Sequence, residues 1–69
     1  MRISARNSFK GKITAITIGP VSAEVTIKIA PKIELVSVIT SNSAKKLNLK
    51  VGGTAHAIVK ADNIIVGVE

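Results

Sequence analysis

Ser4, Arg6, Asn7, Ser8, Lys10 and Lys12 crowd hydroxyl, guanidinium, amide and ammonium donors into one short stretch, and no carboxylate occurs before Glu24. A tetrahedral dianion presents only acceptor oxygens, so a site for one needs converging N–H and O–H donors, positive charge and no acid side chain among them. The opening stretch has that chemistry. Two more donor groups lie downstream: Thr40 with Ser43, and Lys60 followed by the Ala61 amide. Thr40 and Ser43 stand at the start of a predicted helix, where unpaired N–H groups and a positive partial charge suit an anion. Each group also has an ordinary alternative. Ser4 and Asn7 could simply begin a strand, Thr40 and Ser43 could only cap the helix, and Lys60 could be a solvated strand end.

Other chemistries find little to work with. Glu24, Glu34, Asp62 and Glu69 are isolated from one another, and no pair is spaced to divide acid and base roles on one element. The single histidine, His56, sits in Ala55-His56-Ala57 with no nucleophile in a recognisable context, and reads as a surface or interface side chain. Gly52-Gly53 lacks the following Lys-Ser/Thr of a phosphate-binding loop and precedes a strand, so it reads as a turn. There is no cysteine, which excludes disulfides and thiolate zinc sites. The expectation is a non-enzyme with no cofactor and no metal held directly by side chains.

Ten Lys plus Arg against four Asp plus Glu give a formal net charge of +6, which points to an anionic ligand without naming it. A single-stranded nucleic acid is the alternative. Proteins of that kind stack bases on aromatic rings, each stacked base being worth roughly 1–3 kcal/mol, and here Phe9 alone could serve. The apolar run Ile64 to Val68 is far too short to span a membrane, and the N-terminus has no apolar stretch of signal length. A cytoplasmic protein is expected, with neither membrane nor nucleic acid as partner.

These donors need a scaffold. From Val21 to Ile29 apolar and polar residues alternate, as in a half-buried strand, and the β-branched run Lys10 to Ile18 is its predicted hairpin partner across Gly19-Pro20, where Gly19 could supply a positive φ. Ile13 is out of phase with Ile16 and Ile18, which implies a bulge or burial on both sides. Ile33 to Ile39 carries apolar groups on both faces. Thr40 to Ser43 are cap-favouring residues before Ala44 and Leu47 at helical spacing, so one short helix is predicted there. Thr54 to Lys60 and Ile64 to Val68 supply the last two strands. The sum is a single all-β domain over residues 1–69, a small five-stranded barrel of the oligonucleotide/oligosaccharide-binding type with its helix between strands 3 and 4. So small a domain hides only about 60% of the surface its unfolded chain exposes, yet 46% of these residues are hydrophobic. Copies of the chain are expected to cover one another's second apolar face.

Ser4-Ala5-Arg6-Asn7, Gly11-Lys12-Ile13, Ile39-Thr40 with Ser43, Leu47 to Gly52 and Val59-Lys60-Ala61 together resemble the molbindins, over the whole chain and in order. The Ser-Ala-Arg-Asn opening is the most specific element. The resemblance implies a cytoplasmic protein that binds molybdate or tungstate for storage or homeostasis, assembled as a hexamer described as a trimer of dimers. It further implies oxyanion sites between subunits. Ser4, Ala5, Arg6 and Asn7 would come from one subunit and Lys60 with the Ala61 amide from a neighbour, with the Thr40 and Ser43 hydroxyls beside the same pocket.

Overall fold

A computed structural model describes residues 6–69 of the chain. It contains β1 (Asn7–Ile18), β2 (Ser22–Ala30), β3 (Ile33–Thr40), α1 (Ser41–Lys46) and β4 (Thr54–Val59), followed by a 3-10 turn at Ala61–Asn63. The strands form one antiparallel sheet in the order β3-β2-β1-β4. This is an all-β chain whose curled sheet makes a half-barrel, with its short helix between the third and fourth strands.

β1 organises the molecule. Its first half ladders with β4, from Asn7↔Val59 to Lys12↔Thr54, and its second half with β2, from Lys12↔Lys28 to Ile18↔Ala23. The register shifts between Ile13 and Ala15, leaving Thr14 as the extra residue of a bulge. This accounts for the broken apolar phase: Ile13 lies opposite Ile27 and Ile16 opposite Val25, so both face the interior despite their odd spacing. Gly11 permits the hand-over between ladders. A Cβ there would run into the Lys28 carbonyl oxygen and stand 2.9 Å from Ile27 Cγ2, so only glycine lets β1 and β2 cross so closely.

Inside the curl, Ile13, Val25 and Ile27 form the buried cluster, with Ile16, Ile29, Ile39, Leu49, Ala55 and Ala57 packed around it. At roughly 1.5–3 kcal/mol for each fully buried large aliphatic side chain, three such residues are a thin core. The helix is fastened to it by Ser41, whose buried hydroxyl donates to the Gly19 carbonyl at 2.6 Å while its N–H donates to Val21 at 2.9 Å. At the other end Asn48 adopts φ 54°, its N–H donating to the Lys45 carbonyl and the Leu49 N–H to that of Ala44. Those two bonds make a Schellman stop, with asparagine where glycine is usual. Gly52, at φ 88°, then turns the chain, and Gly52 and Gly53 bond Ile13, just before the bulge, through its carbonyl and N–H, which makes this pair a structural turn.

Two expectations are corrected. The described residues contain four strands where five are predicted: Ile64 to Val68 forms no strand, and Ile65, Val66 and Val68 are 85–93% exposed. Alternating apolar residues supply only the propensity for a strand; the 3-10 turn leads this segment off β4 without meeting another edge. Gly19 also turns without a positive φ, and its missing Cβ serves proximity instead, since one would lie 3.1 Å from the Ser22 oxygen.

Candidate oxyanion site

The register joins two of the three donor groups. Asn7 pairs with Val59, so Arg6, just before this pair, and Lys60, just after it, stand at the same end of the β1–β4 ladder. Both side chains are exposed. The Asn7 amide ties this end down by donating from Nδ2 to the Val59 carbonyl at 3.2 Å. Asn7 therefore has a structural duty beside any contact with a ligand.

Lys60 caps the 3-10 turn through its backbone, its carbonyl accepting from the Asn63 N–H at 3.0 Å, and its side chain takes no part in the cap. Ala61 is the first residue of that turn, so its N–H has no partner within it. An ammonium, a guanidinium and a backbone N–H thus share one corner of the sheet, and two like charges there favour an anion between them. Asp62, exposed within the turn, is the nearest acid in sequence to Lys60. Ser4 and Ala5 lie outside the described residues.

The third group sits elsewhere. Thr40 pairs with Ser22 beyond the point where β1 ends at Ile18, so Thr40 and Ser43 occupy the end of the sheet opposite to Arg6 and Lys60. Thr40 is the N-cap of α1: its Oγ1 accepts from the Ser43 N–H at 3.0 Å and donates to Ser43 Oγ at 2.8 Å. The capping alternative raised by the sequence is therefore realised, and it leaves the Ser43 hydroxyl proton as the outward donor of the pair. Ser41 and Asn48 escape attention in the sequence as structural residues, although the cap-favouring run and the lone Asn after a short helix were the available signals. Among the described residues no cluster of three or more His, Cys, Asp or Glu could hold a metal ion.

Comparison with known proteins agrees with this architecture. Residues 3–66 match the TOBE domain model. The chain is 48% identical over 69 residues to a probable molybdenum-pterin-binding protein of Haemophilus influenzae, covering the full length of both. It is 38% identical to molybdenum-pterin-binding protein 2 of Clostridium pasteurianum, over 96% of this chain and 97% of that one. Among solved structures, a molybdate binding protein from Sporomusa ovata superposes with a TM-score of 0.91 at 34% identity, over 99% of this chain and all of the other. ModG, described as a cytoplasmic molybdate-binding protein and solved with molybdate bound, gives 0.94 at 40% identity, with this chain covering 49% of it. A TOBE domain match across nearly the whole chain, and relatives of this closeness and equal length, mean that the chain belongs to the molbindin family.

Proposed function

We propose that this protein binds molybdate or tungstate as an intact oxyanion, at sites completed by a second copy of the chain, and that it serves intracellular storage or homeostasis without catalysing a reaction. The observation that carries the proposal is the register Asn7↔Val59, which sets Arg6, Lys60 and the Ala61 N–H at one exposed corner of each copy, so that two copies meeting at that corner bring Arg6 of one against Lys60 and Ala61 of the other. The relatives' molybdate binding supplies the ligand's identity. Ser4, Ala5, Arg6 and Asn7 of one subunit face Lys60 and Ala61 of a neighbour in this assignment, and a neighbouring copy also brings Thr40 and Ser43 to a corner that they do not share within one chain.

Exposed apolar surface supports the assembly. Val36 and Val38 of β3 are 61% and 68% exposed, and the tail from Ile64 to Val68 lies uncovered. Between β3 and β4 the half-barrel opens into an apolar trough of about 400 Å³ lined by Val25, Ile27, Ile39, Leu49 and Ile58 among others. Self-association into a hexamer removes such surface from water at roughly 25 cal/mol per Å². It also links binding to assembly, since an anion that bridges two subunits shifts the equilibrium toward the oligomer by mass action. The cytoplasm is the compartment that matches the description of ModG.

Donor chemistry sets the selectivity. Molybdate and tungstate are fully deprotonated dianions at neutral pH, whereas hydrogen phosphate carries an O–H that a donor-only pocket leaves unpaired. Sulfate has the charge and shape but is smaller, so donors fixed by a rigid interface fail to close on it. Hydrogen bonds to charged groups contribute about 1.5–3 kcal/mol each, so five or six reach micromolar affinity, near −8 kcal/mol, once desolvation and ordering are subtracted. Isothermal titration with molybdate, tungstate, sulfate and phosphate tests this: strong heats for the first two alone are expected, with the oligomer fraction rising alongside. Equal binding of all four, or binding with no change in assembly in dilute protein, would refute it.

A further inference from the structure

Away from the Arg6–Lys60 corner, the start of the β1–β2 ladder, where Gly11 brings the two strands close, is flanked by a shallow cationic depression. The β1–β2 ladder begins at Lys12↔Lys28, whereas β1 from Asn7 to Gly11 is laddered only to β4. Among the described residues no strand pairs with that stretch on its β2 side. Lys10, Gly11 and Lys12 border one wall of a shallow depression of about 280 Å³, and Lys28, Ile29, Ala30 and Pro31 border the other.

The charges at this cleft are not answered within the ladder. Lys12 lies directly opposite Lys28, a like-charge pairing that destabilises a sheet. On the β4 side, the partners of Lys10 and Lys12 are His56 and Thr54. Glu34 stands opposite Lys28 on β3, but its carboxylate reaches toward Thr14, accepting from Oγ1 at 3.1 Å. Three exposed lysines, Lys10, Lys12 and Lys28, thus line the same depression as Gly11, Ile29, Ala30 and Pro31, and the lining as a whole is mostly apolar.

We infer that this cleft is a second ligand site, for an organic phosphate: a phosphomonoester whose dianionic head bridges Lys12 and Lys28 and whose apolar body lies on Ile29 to Pro31. The head relieves the like-charge pair and can also take backbone N–H groups from the unladdered edge of β1. The apolar lining gives a carbon-bearing ligand contacts that a bare tetrahedral anion cannot make. This site stands on different residues from the proposed molybdate site and does not depend on it.

Calorimetric titration of the full chain with phenyl phosphate and with inorganic phosphate, in the presence and absence of saturating molybdate, tests the site. Phenyl phosphate is expected to bind about tenfold more tightly than inorganic phosphate because its ring covers the apolar lining. Molybdate should not compete with it. Lys12→Gln and Lys28→Gln should each weaken phenyl phosphate about tenfold by removing a charge-assisted bond, while molybdate affinity stays within about threefold. Lys28→Arg should restore phenyl phosphate binding, and amide spectra of all variants check that the sheet is intact. Equal affinity for the two phosphates, competition by molybdate, or unchanged binding in both glutamine variants would overturn the site. If molybdate itself fails to bind while phenyl phosphate behaves as described, only the proposed function fails.

Discussion

The two ends of the sheet are finished to different degrees. At the end formed by the β1–β2 turn and α1, most polar groups have partners: Ser41 bonds Gly19, Thr40 bonds Ser43, and Asn48 and Leu49 close the helix. At the end formed by Arg6 and Lys60, a side-chain bond from Asn7 secures the last pair of the ladder, and beyond it follow exposed cations and an apolar tail with no partner among the described residues. The contrast teaches where to look for binding. Groups whose bonding is complete hold the fold, and groups left open at a fixed position are free to receive a ligand or another copy.

The largest effect that could break this contrast is in the core. Ile13→Ala should cost about 2–5 kcal/mol of unfolding free energy in urea titrations, because Ile13 is 2% exposed at the meeting point of both ladders. Ile65→Ala, at 93% exposure, should change the stability of the dissociated chain by less than about 0.5 kcal/mol while weakening assembly measured by sedimentation. Next comes the corner itself. Arg6→Ala should weaken molybdate about a hundredfold, or roughly 2.7 kcal/mol, whereas Lys28→Ala, which removes equal charge elsewhere, should cost less than about threefold. Equal losses would mean diffuse electrostatics instead of a site. At the finished end, Ser41→Ala should destabilise by about 1–3 kcal/mol, since the Gly19 carbonyl loses its donor. The smallest change has the opposite sign: Asn48→Gly should stabilise by roughly 0.5 kcal/mol, because φ 54° suits glycine better than any residue with a Cβ. A melting temperature that falls instead would show that the Asn48 side chain has a role of its own.

Much of this was legible in the sequence, for identifiable reasons. The β2 alternation placed Ala23, Val25 and Ile27 inside, and they are buried. The broken phase at Ile13 left a bulge or burial on both sides open, and the bulge is what forms; four consecutive cap-favouring residues located α1, with Thr40 as its cap, although Ser41 to Ser43, expected ahead of the helix, already belong to it. What failed were inferences that needed a neighbour. Ile64 to Val68 has the composition of a strand, but pairing requires an edge within reach, which composition does not encode. The second apolar face of β3 is expected to be covered by another copy, and Val36 and Val38 are accordingly open in the single chain. For the donors, the sequence showed three groups but not their grouping. Only the register revealed that Arg6 and Lys60 share an end and that Thr40 and Ser43 lie at the other.

The bond from Asn7 to Val59 spans 52 residues of sequence. A ribosome emitting this polypeptide releases the first strand long before the fourth exists, so early in synthesis one flank of β1 lacks its eventual neighbour. Contacts of such separation close late and slowly. The corner that gathers Arg6 and Lys60 is consequently among the last parts of the molecule to form, and a site that also needs a second copy waits until both chains have been made past their fourth strand.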